Sequence, residues 1–359
     1  MKKIDLYILK KFLGTFTLFF VLLMLIAVVI DISEKLDDFT TNGATLEEIV
    51  FDYYANFIVF YGNLFSALIL FLATIYFTSK LANNTEIVPI LTGGRSFARF
   101  TLPYFVGAFF IFLLSSAVNH YLIPQTNIDR LNFEAKYTKV RDNRKTQELF
   151  RQVEPGHIVY FRSFSPDRHT GYDFSYDVYE NNTLVSKLSV DYLRFDSIQN
   201  TWRLDNWRIR EISPDGTERL RAGRRMDTTF VFGANDIVPE LSVTQMMTTP
   251  KLIEFIEKEK IRGSELLSEH EIELHNRTAY PFSSFILVLI GVSISSRKRR
   301  GGLGINIAVG LVLVMIYIFF MEVSTALSVN GTVSPILAVW TPNIVFALLG
   351  LYTFRIAPK

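Results

Sequence analysis

Apolar residues in this chain gather into long uncharged runs divided by short charged segments. Six runs are long enough for membrane helices, since a hydrocarbon core of about 30 Å takes about 20 helical residues. The first covers 12–30. The second lies between Asp52 and Lys80, and the third lies between Arg99 and Asp129 with its end expected near Pro124. The fourth lies between Arg277 and Arg297, the fifth runs from after Gly301 to about Leu327, and the sixth runs from about Ile336 to Phe354. The first run is read as a retained anchor. At 19 uncharged residues it exceeds a usual signal-peptide core, and IDISEK follows it instead of a small-residue cleavage site.

Between the third and fourth runs the period changes to two. Tyr172, Phe174, Tyr176 and Val178 alternate with polar residues, Asn181-Asn182 marks a turn, and Leu188, Val190 and Tyr192 resume the alternation. Trp202/Leu204 and Trp207/Ile209 are out of phase, which predicts a bulge or bend near Asp205-Asn206. Ser213-Pro214-Asp215-Gly216 predicts a second turn. One apolar face per strand implies a sandwich, a jelly roll or an open barrel. Thr249-Pro250 opens a helix with proline at the tolerated first position, and another helix over about 264–276 leads into the fourth run. The expected fold is a six-span membrane α-helical bundle with an inserted all-β domain. Its parts are spans one to three in 1–124, the β domain in 125–250, connecting helices in 251–276 and spans four to six in 277–359.

Charge orients these spans. Lys2, Lys3, Lys10 and Lys11 precede the first run, and Lys80, Arg95 and Arg99 follow the second. Arg297-Lys298-Arg299-Arg300 follows the fourth, and Arg355 and Lys359 lie in the tail. Six spans put all these segments on one side, while loop 31–52 on the other side has one lysine against seven acids. The positive-inside bias predicts cytoplasmic termini and an extracytoplasmic β domain. The formal net charge of +2 adds little to that placement. Hydrophobic residues make up 49% of the chain, yet 20% are charged, so a sizeable soluble part accompanies the spans. There is no cysteine, which excludes disulfides and Cys-ligated metals.

Motifs for chemistry are sparse. No GxxxxGK[ST] pattern occurs, so a nucleotide site within the chain is not expected. GGLGIN (301–306) precedes a span and follows no strand, which suits close helix packing better than dinucleotide binding. His270 and His275 are five apart, about 140° around a helix, so they do not form a metal-binding face. No Ser/His/Asp or Cys/His arrangement stands out. Glu322 lies within the fifth run, where a carboxylate costs about 3 kcal/mol or more. It either faces a polar cavity or partner subunit, or reaches the interface from near the end of the span. RKRRGG (297–302) reads as a positive-inside anchor or an anionic-lipid contact. Thr45-Leu-Glu-Glu48 fits a capping box, which starts the second span's helix outside the bilayer.

The segment KLANNTEIVPILTGGRS (80–96), between spans two and three, is too polar to cross. Pro89 suits only the first turn of a helix, so Asn84 or Thr85 is the expected cap. Glu86 then sits at the positive end of the helix dipole, Ile87, Ile90 and Leu91 share one apolar patch, and Gly93-Gly94 closes the helix. It is either a surface connector or a docking helix for a cytosolic partner.

Several features together resemble the LptF/LptG (YjgP/YjgQ) permease family, the membrane subunits of the lipopolysaccharide export ABC transporter. They are DLYILKKFL (5–13), TEIVPILTGG (85–94) at the place of a coupling helix, IPQ (123–125) at the end of span three, and a β domain between two sets of three spans. The resemblance spans essentially the whole chain. It implies an inner-membrane location, a periplasmic jellyroll-like domain, a homologous permease partner, a cytosolic LptB-like ATPase dimer that binds the ATP, and LptC/LptA-like bridge proteins. The cargo would be lipopolysaccharide and the chain would need no cofactor. Glu86, Ile87, Ile90, Leu91 and Gly94 become the ATPase-coupling candidates. Pro89 departs from the helix former usual there. Where relatives can carry several lysines, this chain has Lys35 among Asp31, Glu34, Asp37 and Asp38. Either a partner supplies the cations, or the head group differs, or Arg130 and Lys136 compensate. The reading is a transporter subunit without an ATPase of its own. The alternatives are a non-transporting scaffold whose β domain recruits envelope proteins, and a lipid-modifying membrane enzyme.

Overall fold

The computed structural model describes residues 3–138, 147–166, 168–213, 215–237, 241–264, 266–298 and 302–357. Pro214 of the predicted second turn, Arg299-Arg300-Gly301 of the basic segment, Lys2 and Lys359 lie outside the described residues. The chain forms two compact units, 1–140 with 245–252 and 268–359, and 141–244 with 253–267.

In the first unit α1 (Lys3–Thr41) is followed by a π-helical segment (Glu48–Tyr54), α2 (Ala55–Leu64) and α3 (Ser66–Asn83). A short α4 (Ile87–Thr92) precedes α5 (Phe97–Ala117), a second π-helical segment (Val118–Leu122) and α6 (Ile123–Tyr137). After the strands come α7 (Ala234–Ile237), α8 (Leu241–Gln245) and α9 (Thr249–Ile261), which lie mostly in the second unit, and then α10 (Leu267–Ser295), α11 (Gly302–Val329) and α12 (Pro335–Arg355) of the first. Among the described residues six helices are long and apolar enough to cross a membrane.

The capping box is formed. The Thr45 N–H donates to Glu48 Oε2 at 3.0 Å and the Glu48 N–H donates to Thr45 Oγ1 at 3.3 Å. Span two is not one helix, because Phe65 (φ −91°, ψ 0°) breaks it into α2 and α3. The helix of span three continues past Pro124. The Ile123 N–H reaches back five residues to Val118 O, and α6 then runs on to Tyr137. The widened turn leaves Pro124 at the start of a fresh helical segment, where its missing N–H costs little. The expected β-domain boundary at 125 therefore falls inside a helix, and the first strand begins at Gln147. Likewise the expected helix over 264–276 and span four form one helix, α10.

The second unit holds six strands, β1 (Gln147–Glu154), β2 (His157–Ser165), β3 (Thr170–Glu180), β4 (Thr183–Asp196), β5 (Thr201–Ile212) and β6 (Glu218–Thr228). Each pairs antiparallel with the next, in the order β1-β2-β3-β4-β5-β6. To the jellyroll-like expectation the structure adds this connectivity, a single meander.

The predicted phase shift is real and belongs to the whole sheet. Phe161, Phe174 and Val190 form one buried row, and Phe164, Leu193 and Leu204 belong to the next. Two positions that are not buried separate these rows on each strand instead of one, yet pairing continues without a slip from Val190↔Trp207 to Leu193↔Leu204. The feature is a crease and not a bulge. Glu148 (φ 52°), Asp173 (φ 47°) and Asn206 (φ 57°) reverse the pleat by taking left-handed backbone, which Asp and Asn tolerate better than most residues. Gly223 lies beside the crease because the Trp207 ring covers it; a Cβ there would sit 2.7 Å from the indole.

Candidate functional site

The candidate segment joins α3 to α5. The α3 helix closes with Glu86 N–H donating to Leu81 O at 2.9 Å and Thr85 N–H donating to Ala82 O at 3.1 Å. This is a Schellman pair, and it needs a left-handed residue at Thr85 (φ 58°). Thr85 therefore ends α3 and does not cap α4. Neither expected cap is used, and Glu86 itself is the N-cap residue without a side-chain cap bond. Its carboxylate instead accepts from Asn84 Nδ2 at 3.0 Å and from the Tyr7 hydroxyl at 3.4 Å. Pro89 falls in the first turn, where it is tolerated. At the other end Gly94 (φ 82°) supplies the left-handed stop, its N–H donating to Leu91 O at 3.1 Å.

The apolar patch exists and faces inward. Ile87 is buried in a core shared with Ile8, Phe12, Leu81 and Phe97, and Ile90 and Leu91 pack against it. The outer surface is Val88, which is 61% exposed, with Pro89, Thr92 and Gly94, while Glu86 is half-buried at its edge. Val88 is the residue that sequence reasoning left out. It lies off the stripe formed by positions 87, 90 and 91, and that displacement is the signal that marks it as outward-facing.

Lys35, Arg130 and Lys136 all carry carboxylate partners. Lys35 Nζ lies 3.0 Å from Asp31 and 3.1 Å from Glu134. Arg130 is buried, bonds Glu134 at 3.3 Å and Asn127 Oδ1 at 3.1 Å, and lies 4.6 Å from the Phe60 ring centroid. Lys136, largely exposed, lies 3.2 Å from Glu48. Glu322 is exposed on α11, well before that helix ends at Val329. His270 is buried on α10 and His275 is partly exposed.

Glu48 is held well below the ordinary carboxylate range, at about 2, by the Thr45 N–H and hydroxyl first and then by the Tyr137 hydroxyl and Lys136. A lowered folded-state value means that this contribution is present above the usual value of 4.5 and is lost as pH falls through about 2. NMR titration of the side-chain carboxyl should give a midpoint near pH 2. A midpoint near 4.5 would show that the capping-box carboxylate is not engaged.

A cavity of about 290 Å³ opens between α1, α2 and α5, with walls that include Phe16, Phe20, Ile58, Gly62, Ile111 and Leu114. It lies within the apolar part of the helices. Gly62 lets the Phe20 ring pack directly on α2 at its wall, since a Cβ would come within 2.6 Å of that ring.

These features meet in one comparison. The family model for the lipopolysaccharide export system permease LptF/LptG matches residues 6–356. The chain belongs to the LptF/LptG family. No curated protein matches it. Membership and six apolar helices make this LptF/LptG chain a multi-pass inner-membrane protein of the lipopolysaccharide export system. Its kind of partner is the other proteins of that export complex.

Proposed function

We propose that this chain is the membrane permease subunit of an ABC transporter that lifts lipopolysaccharide from the outer leaflet of the inner membrane. A homologous permease would complete the cavity, and LptC/LptA-like bridge proteins would receive the lipid. A cytosolic LptB-like ATPase dimer would bind and hydrolyse ATP, so this subunit would not itself be an enzyme. The basic segments beside the spans support cytoplasmic termini and a periplasmic β domain. The β6 edge, whose residues are largely exposed, would extend the bridge by strand addition.

The carrying observation is the outer surface of α4. A carboxylate fixed by two donors stands next to an exposed valine on a helix whose other face is locked into the core. That is a small acidic and apolar docking surface with rigid backing. ATP-driven closure of the ATPase would push on it, squeeze the cavity and expel lipid toward the β domain. Glu322, facing outward from this chain, would then meet the partner permease or a head group.

The test is Glu86→Lys in the complex purified from membranes and reconstituted with lipopolysaccharide. Reversing the charge at a docking surface should lower the co-purified ATPase and the ATP-dependent release by about tenfold or more. Retention of both at normal levels would sink the coupling role. A scaffold would bind its partners without ATP-dependent release, so the same assay separates that reading.

A further inference from the structure

We propose that the first turn of α1 is a transmission element and that Asp5 is its positioning residue, tying the coupling segment to the helix that lines the cavity. The inference rests on the coupling role proposed for α4. Asp5 is 1% exposed and accepts from Arg95 Nη1 at 2.9 Å and from Arg99 Nη2 at 2.6 Å. Both arginines belong to the C-terminal side of α4. Arg95 follows the Gly94 stop, and Arg99 lies in the first turn of α5, where its N–H donates to Ser96 Oγ. Two residues further along α1, Tyr7 donates to Glu86 on the N-terminal side of α4. Ile8 and Phe12 then share a buried core with Ile87.

The start of α1 thus holds α4 at both ends and beneath its middle. α4 is only six residues long, so its own turns give a weak lever. A buried carboxylate bridging two guanidiniums is a stiff one, because separating the groups would leave charge uncompensated away from water. Displacement of α4 is carried into α1 as a rigid body, and α1 presents Phe16 and Phe20 to the cavity along the same helix. The two arginines suit the cytoplasmic end of the spans, but crossing a bilayer does not call for the buried carboxylate between them. A force path accounts for its charge.

The experiment compares Asp5→Asn and Asp5→Glu with the unaltered complex, in proteoliposomes holding lipopolysaccharide. It reads lipid released per ATP hydrolysed beside the amount of ATPase co-purified. Asp5→Asn should keep the ATPase bound and lower release per ATP about tenfold, within the range of ordinary site-to-site couplings. Asp5→Glu should restore most of it. A merely structural role would lower assembly and leave the ratio alone, and that result would overturn the proposal. Should Asp5→Asn fail to assemble, Arg99→Gln removes one of the two contacts from a partly exposed side chain, and an unchanged ratio there is equally fatal. If Glu86→Lys still loses the ATPase while Asp5→Asn transports normally, only this inference fails. If Glu86→Lys loses nothing, the coupling reading fails with it.

Discussion

Glu134→Ala is expected to destabilise the helical unit by about 3–5 kcal/mol, the usual loss when one partner of a buried ion pair is removed. Lys136→Ala, at a largely exposed pair, should change stability by less than about 1 kcal/mol. Glu134 is the hub of a neutral cluster. It accepts from Lys35 at 3.1 Å, from the Tyr53 hydroxyl at 3.2 Å and from Arg130 at 3.3 Å. Asp31 balances the second cation and accepts from the Tyr54 hydroxyl at 3.1 Å. Arg130, 4% exposed in the intact chain, would then lose its carboxylate partner. Thermal unfolding of the full chain in detergent measures the loss. Replacing Asp31, Lys35, Glu134 and Arg130 together with apolar residues of similar volume should recover much of it, since burying the charges was itself costly. A Glu134→Ala protein as stable as its parent would refute the network. The same variant also bears on head groups. If Lys35 and Arg130 hold a lipid phosphate, freeing them should strengthen anionic-lipid binding even as stability falls.

That cluster shows why part of the site could not be read from the sequence. Lys35 among four acids reads as a cation in a hostile loop, but its decisive partner Glu134 lies 99 residues away. Asp5 and Arg95 are similarly remote, at a separation of 90. Local patterns fared better. The spans follow from hydropathy, the Thr45–Glu48 box from its spacing, and the apolar stripe of α4 from the helical period. The crease in the sheet was visible as a phase shift in β5, although one strand cannot say whether its neighbours shift with it. Where local rules compete, reading fails. Thr85 is a good helix cap and a poor left-handed residue, so its use as the closing residue of α3 goes against propensity. Pro124 would break a regular helix, and the π-turn before it lets α6 continue, which no local pattern announces.

Trp202→Ala should be the most damaging change in the β unit, at about 3–5 kcal/mol for the cavity and about 1 kcal/mol more for the lost hydrogen bond. Trp202 is 1% exposed, and its Nε1 donates to Phe232 O at 3.1 Å. Its ring centroid lies 5.0 Å from Phe195, 5.7 Å from Phe232 and 6.5 Å from both Phe164 and Phe230. The indole therefore pins the chain after β6 onto the sheet, and that segment covers the face where Phe174 and Val190 are buried. Truncation removes the anchor and leaves a carbonyl without its donor. The apolar face should loosen before the strands part, giving increased binding of a hydrophobic dye and a lower unfolding temperature in the intact chain. Trp202→Phe keeps most of the volume and loses the donor, so about 1–2 kcal/mol is expected from it. Trp207 makes a useful control, because it is only partly buried and, among the described residues, its Nε1 has no hydrogen-bond partner. If Trp207→Ala proved as costly as Trp202→Ala, stability would follow ring size alone, and the anchoring of Phe230 and Phe232 by Trp202 would have to be abandoned.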